Sequence, residues 1–147
     1  MPQETLMQFA NEVTKRMPDI MREFLRRQAK EIAQGNISLP QMLILDVLKQ
    51  KGSQRMGELA HYLSVSMAAT TGIVDKLVRK GLAVRASSPQ DRRIVNIEIT
   101  HEGKKMVEKY NHARRKAIVD IFGHLSILDR NTYLEILKKI QSHLKKA

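Results

Sequence analysis

From Gln3 to Gln34 the apolar positions Leu6, Phe9, Ala10, Val13, Met17, Ile20, Met21, Phe24 and Ile32 recur at helical spacings, mostly three and four apart. That period marks one face of an amphipathic helix. Pro18 interrupts it and disfavours a helical conformation at Met17, which predicts a kink or two abutting helices. Gly35 and Asn36 end the pattern. A second helix opens at Leu39-Pro40, where proline is tolerated in the first turn, and carries Met42, Leu43, Leu45, Val47 and Leu48 as far as Gly52. Two shorter helical patterns follow, Met56 to Leu63 and Met67 to Lys80, with only Ser64-Val65-Ser66 between them. Ser66 suits the N-cap of the later one and Gly81 its end.

Beyond Gly81 the period drops to two. Leu82, Val84 and Ala86 alternate with Ala83 and Arg85, and Val95, Ile97 and Ile99 alternate with Ile94, Asn96 and Glu98. Between them, Ser87 to Arg93 is a polar, basic turn, so the segment predicts a β-hairpin with a long tip. Thr100 caps a further helix through Met106, Tyr110, Ala113, Ala117 and Ile121. Ser126 with Asp129 resembles a capping box and opens a last helix, whose stripe is Tyr133, Ile136, Leu137, Ile140 and Leu144. The fold class expected is mainly α with a small β-hairpin wing.

The informative unit runs from Met56 to Ile99: helix, three-residue turn, helix, hairpin. Helices joined by so short a turn cross steeply, and the second can lie in the major groove of DNA. Ala60 suits the close crossing. Ile73, Val74, Leu77 and Val78 give the second helix its buried face, leaving Ala68, Thr71, Gly72, Asp75 and Arg79 opposite. Ser66, Thr70 and Thr71 can hydrogen-bond to base edges there, while Ala68 and the threonine methyl groups can touch a thymine methyl. Lys76, Arg79 and Lys80 lie further along, towards the DNA backbone. An ordinary solvated helix would carry more Glu and Lys on this face. On the hairpin, Arg85, Ser87, Gln90, Arg92 and Arg93 are candidate DNA contacts, since arginine is drawn into a narrow minor groove. Asp91 is read as the partner that orients Arg93.

Charge supports that direction. The chain has 26 Lys and Arg against 15 Asp and Glu, a net of +11, which points to a polyanionic partner. Charge alone does not separate nucleic acid from an anionic membrane; the helix and hairpin favour double-stranded DNA. With no cysteine there are no disulfides, thiolate metal sites or thiol redox switches. The N-terminus lacks a signal-peptide core, and no apolar run is long enough to span a bilayer, so the expected compartment is the cytoplasm. The five histidines show no metal-ligand spacing. No nucleophile elbow, phosphate loop or paired carboxylates offer an enzyme reading, and no cofactor is expected.

The first and last two helices carry long apolar stripes. Their burial within the chain and against a second copy are both expected, with Phe9, Val13, Phe122, Leu125, Leu134, Leu137 and Ile140 as candidate dimer contacts. Residues 37–100 then form the DNA-binding lobe, and residues 1–36 and 101–147 the helical dimerisation region.

The ordered fragments Glu58-Leu59-Ala60, Leu63-Ser64-Val65-Ser66, Val74-Asp75-Lys76-Leu77, Lys80-Gly81-Leu82, Asp91-Arg92-Arg93 and Ile99-Thr100-His101-Glu102-Gly103 resemble the MarR family of transcriptional regulators. The resemblance implies a homodimer with two winged helix-turn-helix lobes, Arg93 as the wing arginine, Asp91 as its partner, and residues 66–72 as the reading edge. It also implies a small aromatic or anionic effector between the dimer region and the lobe, for which Arg16, Met17, Met21 and Phe24 are candidates. Ser64 stands where the family often has glycine, which predicts a strained or differently shaped turn. Met67, Ala68 and Gly72 replace positions where arginine or serine is frequent, so base preference does not transfer. The resulting expectation is a sequence-specific regulator, a repressor, on a pseudo-palindromic operator. The alternatives are an architectural, weakly specific DNA-binding protein and a winged helix used as a protein-interaction module.

Overall fold

The computed structural model describes residues 3–146, with the side chains of residues 3, 4, 31, 32, 34 and 35 outside the description, Ile32 among them. Helix α1 (Gln3–Gly35) leads to α2 (Leu39–Lys51), strand β1 (Gln54–Arg55), α3 (Met56–Leu63) and α4 (Met67–Arg79). The hairpin β2 (Ala83–Ser87) and β3 (Val95–Ile99) follows, then α5 (His101–Phe122) and α6 (Ile127–Lys146).

Pro18 does not divide α1 into two helices; the helix continues through it. The missing N–H at Pro18 leaves the Thr14 carbonyl without its helical donor, but Thr14 is exposed and water can take that role. Helix α2 starts on a reciprocal cap: the Gln41 N–H donates to Ser38 Oγ, and the Ser38 N–H donates to Gln41 Oε1.

The sheet has the order β1-β3-β2, all antiparallel. Strand β1 was not legible as a period, because two residues have none. Ala83, Arg85 and Ser87 pair with Ile99, Ile97 and Val95, so these positions share a face. Ala83 is therefore the inward residue of β2, whereas Val84, on the expected apolar alternation, is 43% exposed.

Ile44, Leu45, Leu48, Leu59, Val74, Leu77, Ile97 and Val107 each expose no more than 1% of their surface and form one core. Val107 belongs to α5, so the first turns of that helix pack inside the lobe. Their docking depends on Thr100 and Gly103. Thr100 Oγ1 donates to the Gly81 carbonyl at 2.7 Å and accepts the Gly103 N–H at 3.1 Å. A Cβ at Gly103 would stand 2.2 Å from the Leu82 carbonyl oxygen, so only glycine lets α5 approach the α4–β2 corner. Helix α6 is the opposite case: every one of its described side chains is exposed, including Tyr133, Leu134, Leu137 and Ile140.

Candidate nucleic-acid interface

Helix α4 begins where Ser66, in extended backbone geometry, accepts the Ala69 N–H on its side chain at 3.1 Å. Ser64, closing α3, sits in the left-handed region at φ 55, ψ 41, and its N–H caps the end of that helix. This is the strained turn expected of a serine at a position that favours glycine.

Val74 and Leu77 seal α4 onto the core, with Ile73 and Val78 half-buried beside them. Met67, Ala68, Gly72, Lys76 and Arg79 are exposed, and Thr71 is half-buried. Thr70 departs from expectation. Its exposure is 0%, and its hydroxyl donates to the Ser66 carbonyl at 2.8 Å. It lies one turn before Val74 on the inward stripe, and the hydrogen bond to Ser66 satisfies its hydroxyl there. Thr70 is a core residue, not part of the outward edge.

At the hairpin tip, Asp91 holds Arg93 with both carboxylate oxygens. Arg93 Nε donates to Oδ1 at 3.1 Å and Nη2 to Oδ2 at 3.0 Å, and the Arg93 N–H also reaches Oδ1 at 3.0 Å. The Arg93 side chain is nevertheless 90% exposed. The hydrogen bonds from the Arg93 side chain, then from its backbone N–H, lower the Asp91 pKa below its usual value. The guanidinium is thus aimed without being hidden. Ser88 is buried and organises the turn: its hydroxyl donates to Gln90 Oε1 at 2.9 Å, and its N–H donates to the Ile94 carbonyl at 2.8 Å. Gln90 is exposed, with its carboxamide oxygen engaged in the turn. Ser87 and Arg92 are exposed.

Arg85 is placed differently from the other wing candidates. The pairing with Ile97 puts it on the inner face of the sheet, and its guanidinium forms an ion pair with Asp75 of α4. It braces the hairpin against α4 rather than standing free at the tip. Asp75, expected outward, is half-buried by the same contact.

A second feature lies away from this surface. A cavity of about 670 Å³ opens between α1, α2, α5 and α6. Met21 and Phe24 line it as expected, with Phe122 and Tyr133 completing an aromatic wall; the ring centroids stand 6.1 Å apart for Phe24–Phe122 and 5.0 Å for Phe122–Tyr133. Arg16 and Met17 do not line it. Arg16 turns along the exposed face of α1 to Glu12, with Nη2 2.9 Å from Oε2, and Met17 is exposed. Met17 shares the face of Met21 and Phe24 but lies one turn nearer the N-terminus, where the lining has ended. The cations that sequence reasoning missed are Arg114 and Arg130; the Arg114 Cζ lies 5.5 Å from the centre of the Tyr110 ring. The available signal was the four-residue spacing of Tyr110 and Arg114, which stacks them on one helix face. Gln28, also missed, lines the cavity at 8% exposure.

Two helices joined by a three-residue turn, an outward helix start and an arginine-tipped hairpin together define a winged-helix DNA-binding protein. The MarR family model matches residues 37–95. The transcriptional regulator FarR of Neisseria gonorrhoeae is 32% identical over 127 residues, covering 84% of this chain and 87% of that protein. A MarR family protein from Bacillus stearothermophilus superposes with a TM-score of 0.82 at 22% identity, covering 94% of this chain and 96% of that one. A transcriptional regulator from Thermotoga maritima superposes with a TM-score of 0.69 at 26% identity, covering 92% and 96%. The chain belongs to the MarR family, and is a DNA-binding transcriptional regulator of the helix-turn-helix type. Among the described residues, no helix is long and apolar enough to cross a membrane.

Proposed function

We propose that the chain acts as a homodimer on a pseudo-palindromic operator and represses transcription until a small aromatic or anionic effector lowers its affinity. The observation that carries this reading is the pairing of an exposed α4 N-terminus with a wing arginine held bidentately by Asp91. An immobilised guanidinium has less side-chain entropy to lose when it meets DNA. The bare apolar stripe of α6, with exposed Phe9 on α1 and Leu125 before α6, supports self-association. Of the other candidate dimer contacts, Val13 and Phe122 are half-buried, and Phe122 already packs within the chain. A two-fold dimer presents its recognition helices about one DNA turn apart, ~34–36 Å. The cavity beside Phe24 and Arg114 offers an effector aromatic walls and two cations, Arg114 and Arg130.

The architectural reading has one observation in its favour. Residues 101–147 hold 11 Lys and Arg against 5 Asp and Glu, so much of the positive charge lies outside the lobe. Gel-shift titration of the intact protein on genomic fragments and on random duplexes separates the two. An operator-specific regulator discriminates by about 10³-fold or more at physiological salt; an architectural protein does not.

A further inference from the structure

Over its first two turns, α4 directs its hydroxyl groups at its own backbone. Ser66 Oγ accepts the Ala69 N–H, Thr70 Oγ1 donates to the Ser66 carbonyl, and Thr71 Oγ1 donates to the Met67 carbonyl at 2.8 Å. Apart from the exposed Ser66 hydroxyl, which keeps its own proton to donate, what faces outward there is mostly carbon. Met67 is 54% exposed, Ala68 is exposed, and Val65 stands exposed just before the helix. Gly72 leaves bare backbone, and a Cβ there would meet nothing within 4 Å, so no packing within the protein fills the gap.

No Arg, Lys, Asn or Gln occurs between Ser64 and Asp75. The bidentate pairings that read guanine or adenine need such side chains. The first long donor, Lys76, lies roughly 14 Å along the helix from Met67 at 1.5 Å per residue. Thr71 retains a lone pair and can accept a base N–H, but its proton is committed to Met67. Of the base edges in the major groove, only thymine presents an apolar group, its 5-methyl.

We propose that α4 selects its half-site chiefly through thymine 5-methyl groups, packed against Met67, Ala68 and the methyl of Thr71, with Gly72 allowing close approach. This rests on the operator-binding reading above and adds the chemistry by which the operator is chosen. The wing arginine then contributes affinity and register, while the methyl contacts contribute the choice of sequence.

The test begins with selection of preferred sites from random duplexes by the full-length protein. Each thymine of the selected half-site is then replaced by uracil, which removes only the 5-methyl group. At contacted positions the expected loss is about four-fold each, the worth of one buried methyl-sized group. Thymines outside the half-sites should tolerate the change. Thr71→Ser keeps the hydroxyl and deletes the methyl; it should weaken binding to the thymine operator and be nearly silent on the uracil version at its partner position. Uracil-insensitive binding, or a selected site read at guanines with no thymine under α4, overturns the methyl readout while leaving operator binding intact. Failure to enrich any sequence overturns both.

Discussion

In the lobe, Ile44, Leu45, Leu59, Val74, Leu77 and Ile97 are sealed from solvent; along α6, no described residue is buried. The two regions have similar apolar periodicity but opposite burial. The lobe closes on itself because helices and a three-stranded sheet surround one core, to which α5 adds Val107. The C-terminal helix has a stripe of the same quality, but its own chain covers it only in part: Tyr133, Leu134 and Leu137 line the open cavity and stay more than 40% exposed. The ion pairs of α1 and of the lobe differ too. Arginines 16, 22, 26 and 27 of α1 each pair with a carboxylate, and Glu23 is lowered to about 2, first by its hydrogen bond to Arg26. The lobe uses its pairs to aim structure: Asp91 aims Arg93, and Asp75 braces Arg85.

The largest effect is expected where the two regions join. Gly103→Ala forces a Cβ onto the Leu82 carbonyl and should destabilise the lobe by about 3 kcal/mol or more, read from the denaturation midpoint. A wild-type midpoint would show that α5 docks more loosely than the contact implies. Next, Leu137→Asp places a charge on the bare stripe of α6. It should convert dimer to monomer by sedimentation and weaken operator binding by about 10²-fold through lost bivalency, with the lobe still folded. If the lobe unfolds with it, the two regions are less independent than their burial suggests.

Arg93→Ala acts within the lobe alone. Operator affinity should fall about tenfold and the salt slope by about one, with no change in oligomeric state. Because the Asp91 pKa is lowered in the fold, the contribution of the Arg93 pair is complete above the usual aspartate value of 3.8. It is lost only as pH falls through the lower folded value, so no Asp91 titration should appear in binding near neutrality. The smallest effect is expected at the helix turn. Ser64→Gly relieves a left-handed serine but frees the unfolded chain, for a net stabilisation below about 1 kcal/mol by thermal melting. A destabilised variant would mean that the Ser64 side chain does more than occupy the turn.

Much of this was legible in the chain. Ser66, Gly81, Thr100 and Ser126 mark helix ends through local chemistry, and all four lie where the caps and stops were expected. The Asp91–Arg93 pair was readable because the partners are two residues apart. Other outcomes depended on distant contacts. Thr70 is polar and sits beside outward residues, yet the core claims it. Arg85 looked like another wing cation until strand register turned it towards Asp75, ten residues back. Arg16 and Met17 follow the same α1 period as Phe24, and only the position of α5 and α6 decides which of them meets the cavity.

By itself, the order of residues determined the helices and the hairpin, the capped ends, the helix-turn-helix spacing and the clamped arginine, though not β1 or the continuity of α1 through Pro18, because each of the former depends on neighbours within a few positions. Tertiary structure alone decided which polar groups are used up internally and which apolar faces stay bare. Those outcomes depend on the direction from which another element arrives, and that direction is set by packing across the whole fold.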